Sequence, residues 1–389
     1  MKSPPIRSGR PSYNLIVRAL LLALVLAVGA NGQTPPAARY HLIVASEAAD
    51  VISHLTFGPQ GLVVDRTIAV GLMPNDIDGP HGVAVAPDGT SYVVSFAHGQ
   101  PNGTLWRMAT ADDRPMGHVA LGMFPATAQI TPDGEFAFVV NFNLHGDRVP
   151  SSVSVVATDG MLEVARIPTC LMPHGSRINA QGTKHYSACM MDDTLVEIDT
   201  RTLKVARHFT MTRGSESGTA GPPVTRPAPA HTAHGGHGAE PPPPGSTACS
   251  PTWAQPSADG RRVFVACNGS SEIVEVDVDR WALVRRMPAG AGVYNLAVTH
   301  DGRRLLATNR RAQSVSVIDI ASGSELARLP TRRRVVHGVV VSADDRYAFV
   351  SVEGVAAEPG TVEVIDLTSL RIVASADLPP QAGGIDVVP

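Results

Sequence analysis

The chain has 389 residues, 43% of them hydrophobic and 17% charged, with 36 Gly and 32 Pro. Such a composition belongs to a folded, turn-rich chain and excludes a disordered or collagen-like one. A formal net charge of −3 supplies no basic field, so nucleic acid is not an expected partner.

Residues 1–32 read as a signal peptide. Lys2, Arg7, Arg10 and Arg18 precede an apolar run at 19–28, and small residues follow at Gly29, Ala30 and Gly32. A run of that length is short for a bilayer span and suits a cleaved leader. The mature chain is expected to be periplasmic or secreted, with no membrane span left after cleavage.

Residues 33–389 read as one domain. Short strands rich in β-branched and aromatic residues are expected at 39–46, 51–57 and 62–70. A repeated frame then begins: an inner strand, a turn such as Asp88-Gly89 or Asp133-Gly134, and three further strands. Its first residues are His81, Ala126, His174, Thr252, Tyr294 and His337, spaced 42 to 48 apart except for one gap of 78. Four strands at that period predict propeller blades. The residues at 381–388 look like an inner strand with nothing after it, and 39–70 like three outer strands with nothing before them. Joining them predicts an all-β, seven-bladed β-propeller of four-stranded blades, its ring closed by the C-terminal inner strand.

The long gap holds an insertion at 212–248, rich in Pro, Gly, Ser and Thr and poor in large apolar residues, expected to be disordered. Within it His231, His234 and His237 stand three apart, a spacing that suits weak capture of copper or another divalent metal, or is an accident of composition. Cys170 and Cys249 lie just before the inner strands of successive blades, and Cys189 and Cys267 at the exits of the second strands. These are the same ends of two hairpins, so Cys170–Cys189 and Cys249–Cys267 disulfides fit, with free buried thiols or metal ligands as the alternatives.

Antiparallel first and second strands put all first-strand starts on one face of the disc. That face gathers His81, His174, Trp253, Tyr294 and His337, with Asn141, Asn309, His98, His145, Glu47 and Glu353 from the neighbouring ends. It is the expected site for a small molecule, metal or protein partner over the channel mouth. The three histidines come from non-adjacent blades and are expected to reach one another only through a bound ion, water or ligand, or else to serve as turns bonded to nearby backbone. Cys189, Met190 and Met191 near His185 offer soft copper ligands, although His185 starts its strand and points away. Asp199, Asp277, Asp319 and Asp366 recur at third-strand ends and are expected to cap turns.

The units RVFVACN at 262–268 with IVEVD at 273–277, and RLLATN at 304–309 with VSVID at 315–319, resemble the YVTN repeat. Relatives implied by that resemblance include exported propellers of unassigned role, the haem-d1 domain of nitrite reductase and the large subunits of quinoprotein amine dehydrogenases. In a haem-d1 setting, His81, His174 or His337 would serve as axial ligand. Fold alone does not fix function. The sequence favours a non-catalytic exported propeller binding on its His-bearing face; the alternative is a metal- or haem-dependent oxidoreductase or a propeller-type lactonase or lyase.

Overall fold

A computed structural model describes Met1 and residues 36–71, 77–98, 102–223 and 248–389. The leader at 1–32 and the His231, His234, His237 triplet therefore lie outside the described residues, apart from Met1. Residues 37–389 form one compact unit, a seven-bladed β-propeller.

Six blades are consecutive antiparallel meanders. Blade two runs Pro80–Val85, Ser91–Phe96, Thr104–Ala109, Pro115–Ala120 from axis to rim, and blade three begins at Pro125–Ile130. Blades four to seven begin at Pro173–Ile178, Pro251–Pro256, Val293–Val298 and Val336–Val341. Blade one is composite: Ala382–Val388 pairs antiparallel with Tyr40–Ser46, and Val51–Gly58 and Gly61–Ala69 follow outward. The two ends of the chain thus meet as expected, which removes the free inner edge that an open ring would expose.

Each third-strand Asp closes the turn that follows it, as the sequence pattern implies. Asp199 accepts from the Arg201 and Thr202 amides, Asp277 from Arg280, Asp319 from Ser322 and Asp366 from Ser369. Between blades, alternate strand residues interdigitate. Tyr40 and Phe57 of blade one pack on Tyr347 and Phe349 of blade seven, with ring centroids 5.0 to 6.1 Å apart. The closing seam is filled by this cluster of buried side chains, so closure rests on packing as well as on the strand ladder.

One departure concerns the insertion. Ser217–Ala220 forms a fifth strand on blade four, paired with Lys204–Thr210, so the segment is folded at its start instead of looping out from 212. The backbone there finds ladder partners that a composition rule cannot anticipate. Trp281 seals it, its indole N–H donating to the His208 carbonyl, and a Cβ on Gly218 would collide with the Trp281 ring.

Both disulfides are present, Cys170–Cys189 and Cys249–Cys267. They tie the segment just before an inner strand to the end of the second strand of that blade, beside His174 and Thr252. Among the described residues no helix is long and apolar enough to cross a membrane.

Candidate functional site

Every inner strand carries a register shift near its start, for example between Pro80 and Val83, Pro173 and Ser176, and Val336 and Val339. A bulge at the start re-aims a side chain that regular alternation would turn into the blade. Residues at the strand starts therefore line the axis: His81 with Gly82, Ala126 with Thr127, His174, His337 with Gly338, and Gly383 with Gly384. The carbonyls of this ring are tied from blade to blade by hydroxyls. Ser95 donates to Ala126, Thr127 to His174, Thr252 to Tyr294, Thr308 to His337 and Ser351 to Gly383, at 2.5 to 3.0 Å.

The histidines are not separated as the blade numbering implies. The His81 and His337 ring centroids are 5.6 Å apart without any mediator. The blade between them contributes Gly383 and Gly384 at the equivalent positions, and a Cβ on Gly384 would stand 2.1 Å from the His81 carbonyl oxygen. Omission of side chains from blade one is what lets blades seven and two meet. Tyr294 then bridges His337 and His174, with ring centroids 5.1 and 5.2 Å away. Phe142, Phe124 and His98 complete an aromatic collar.

Polar groups within the collar are paired in an ordered way. Glu47, in the short 3₁₀ turn Glu47–Ala49 after the second strand of blade one, bridges two imidazoles. Its carboxylate is 2.6 Å from His81 Nδ1 and 2.7 Å from His98 Nε2. Burial pushes the Glu47 carboxyl up, but the charge and hydrogen bonds of His81 and His98 prevail and hold it below the usual range. For His81, burial disfavours the cation, yet Glu47 overcomes this and raises the imidazole above its ordinary value.

His174 and His337 behave oppositely. His174 Nδ1 lies 2.9 Å from the Thr252 carbonyl, which can only accept, so the proton sits on Nδ1 and Nε2 accepts from the Tyr294 hydroxyl at 2.9 Å. Burial takes His174 down to about 3 and the Tyr294 hydroxyl up to about 12, so both are neutral. His337 is held well below the ordinary value by burial and then by His81. Behind Tyr294, the Arg310 guanidinium stacks 4.5 Å from the ring and pairs with Glu353 at 3.2 Å. Burial raises the Glu353 carboxyl despite Arg310.

Of the residues the sequence singles out, His81, His174, Tyr294 and His337 form the collar. Trp253 lies one step deeper, lining the channel beneath it. Asn141 and Asn309 do not reach the mouth. Both are fully buried and bridge serines of their own blades: Asn141 Nδ2 donates to Ser152 and Ser154, Asn309 Nδ2 to Ser314 and Ser316. A second-strand exit leaves its last side chain pointing into the blade. Arg310, the next residue after Asn309, is the one that turns to the collar, stacked on Tyr294 and paired with Glu353, and had no motif to mark it.

The soft-ligand reading is overturned. Cys189 is consumed by a disulfide, and His185 is fully buried against Phe138, ring centroids 5.1 Å apart. Among the described residues no group of three or more His, Cys, Asp or Glu is arranged to hold a metal ion. His174 has both nitrogens engaged and does not suit an axial haem ligand.

No protein-family model matches the chain, and no curated protein matches it in sequence. Solved structures do match in fold. A periplasmic gluconolactonase of Pseudomonas aeruginosa is 17% identical with TM-score 0.65, covering 90% of this chain and 99% of that one. A putative 6-phosphogluconolactonase of Bacteroides uniformis is 12% identical with TM-score 0.64, covering 90% and 99%. The Kuenenia stuttgartiensis hydrazine synthase is 20% identical with TM-score 0.57, covering 77% and 80%. At such identities the likeness is one of fold.

Proposed function

We propose that the collar is the active site of an exported lactone hydrolase acting on small, polar lactones. The observation that carries this reading is the 2.6 Å bond from Glu47 to His81 Nδ1, which leaves His81 Nε2 as the nitrogen for a ligand at the mouth. A carboxylate that orients an imidazole and makes it more basic is the arrangement general-base catalysis needs. Export is supported by the two disulfides, which persist in oxidising compartments. The fold likeness to two lactonases agrees with the reading without carrying it.

In the mechanism, neutral His81 Nε2 takes a proton from water as the water oxygen bonds to the lactone carbonyl carbon. Negative charge on the carbonyl oxygen is met by the half-buried Arg310 guanidinium, which the Tyr294 ring supports. The ring C–O bond then breaks, and the imidazolium returns its proton to the leaving alkoxide. Water is consumed, one hydroxy acid is formed and the groups end as they began. His174, kept neutral and bonded to the Thr252 carbonyl, fixes the Tyr294 hydroxyl in place.

The test is proton release from an aldonolactone by protein purified from the oxidising compartment. Hydrolysis above background is expected, with His81→Ala and Arg310→Gln each lowering kcat/KM by about 10²-fold or more at an unchanged Tm. Absence of turnover with five- and six-membered lactones alike would return the face to the non-catalytic binding role that the sequence favours.

A further inference from the structure

Three residues beyond the collar, each inner strand presents another side chain to the axis: Ala84, Gln129, Arg177, Gln255, Ala297, Val340 and Asp386. All seven line a cavity of about 190 Å³ toward the far face, with apolar walls from Val83, Leu296 and Val339 among others. That is room for several waters or a small organic molecule. Arg177 also lines the smaller space of about 40 Å³ beneath the collar, so its guanidinium forms the partition between the two.

Two opposite charges sit in this cavity without meeting. Arg177 is on blade four and Asp386 on blade one; they attract each other across the cavity but form no ion pair, and among the described residues no carboxylate lies within ion-pair distance of Arg177. The guanidinium stacks 4.3 Å over Trp253 and makes one hydrogen bond, from Nη1 to the Ser176 carbonyl. Among the described residues its other four N–H groups make no hydrogen bond. Asp386 accepts one backbone amide on each oxygen, from Val85 at 2.8 Å and Val387 at 2.9 Å, which orients the carboxylate and leaves a lone pair on each oxygen. Gln129 and Gln255 flank Arg177 from blades three and five. Gln129 Oε1 accepts from the Ile178 amide, which turns its NH₂ toward the same space.

Separated buried charges are costly unless something spans them. A lone anion placed there is attracted by Arg177 and repelled by Asp386, and a lone cation the reverse, so neither simple ion matches both walls. We propose that this far-end cavity binds a small zwitterion, with its carboxylate on Arg177 and its ammonium on Asp386. The site is separate from the collar and does not depend on lactone hydrolysis.

Calorimetric titration of the full chain with glycine, β-alanine and 4-aminobutanoate tests this, with acetate and methylammonium as single-charge controls. At least one of the amino acids binds saturably, and both controls bind at least about tenfold more weakly. Arg177→Gln and Asp386→Asn each weaken the amino acid at least about tenfold, whereas His81→Ala, which disables the collar, leaves it unchanged. Should a charge variant fail to fold, the comparison of zwitterion with single ions on the native protein still decides. No binding by any of the three amino acids overturns the proposal, as does acetate binding as tightly as they do.

Discussion

Two histidine–carboxylate clusters built from the same residue types have opposite characters. At the seam of blades one and two, Asp113 Oδ1 faces His54 Nε2 at 2.7 Å and accepts from the Tyr92 hydroxyl at 3.0 Å. Its Oδ2 takes the Arg66 Nε–H at 2.7 Å, and Arg66 also donates to the Thr110 carbonyl. Around the axis, Glu47 holds His81 and His98 but no arginine. The consequence is read in the imidazoles. Burial lowers His54 even beside a carboxylate, because Arg66 already answers that carboxylate and repels a second cation. At the mouth Glu47 is hydrogen-bonded by imidazoles, with Arg310 acting on it only at longer range, so it outweighs burial and lifts His81. An arginine bonded to the carboxylate turns a carboxylate–histidine pair into a structural knot; without that bond the imidazole stays basic and faces a cavity.

Exchanging the two carboxylates for amides breaks the comparison most sharply. Glu47→Gln removes the group that orients and charges His81, and kcat/KM for lactone hydrolysis is expected to fall by about 10²-fold or more. Asp113→Asn takes the charge from a buried carboxylate and leaves the partly exposed Arg66 without its ion-pair partner, costing about 2–3 kcal/mol of stability after discounting for that exposure. Denaturant midpoints and initial rates measured on both variants give the pattern: activity lost at the mouth, stability lost at the seam. A matching loss of both properties in both variants would erase the distinction.

Acid sharpens it further, through opposite signs. The base form of His81 is the neutral one, so log kcat/KM rises with pH and levels off above a midpoint higher than the ordinary 6.5. Glu47→Gln moves that midpoint down. At the seam, the folded-state pKa of His54 lies below its unfolded 6.5, so the unfolded chain binds the proton first and stability falls as pH drops below that value. Asp113, held below its ordinary 3.8 against burial by Arg66, His54 and Tyr92, contributes stability that is present above 3.8 and disappears as pH falls through its folded value. Urea unfolding from pH 7 to 3 is expected to show both steps, and Asp113→Asn to lack the lower one.

The ring itself is legible in the sequence because a period of 42 to 48 with Asp-Gly turns admits few other architectures. The disulfides are legible for a related reason: equivalent positions in successive repeats place both members at the same hairpin end. Collar chemistry is not legible in the same way. Repeat phase puts His81, His174 and His337 on one rim, but their approach depends on bulges and on Gly383 and Gly384, which act by leaving room. Arg310 and Glu47 sit just past strand ends, where the repeat is irregular and no spacing rule applies. Asn141 and Asn309 mislead for the opposite reason, since a polar residue at a strand exit can turn inward and satisfy itself on serines.

The smallest expected effect concerns Tyr294, and it separates positioning from chemistry. Its hydroxyl donates to His174 Nε2, and its ring supports Arg310. Tyr294→Phe keeps the ring and therefore the guanidinium stack, and removes one hydrogen bond that orders the collar around the oxyanion site. The expected result is a fall in kcat of about tenfold, equivalent to about 1.4 kcal/mol of transition-state stabilisation, with KM nearly unchanged. His174, deprived of its donor, is left with an unsatisfied nitrogen in a site where burial already holds it to about 3. Its titration, followed by NMR in the variant, is therefore expected to stay low, because burial and not the tyrosine sets it. A kcat loss as large as that of His81→Ala would make Tyr294 the proton donor itself and move the base assignment from His81 to His174.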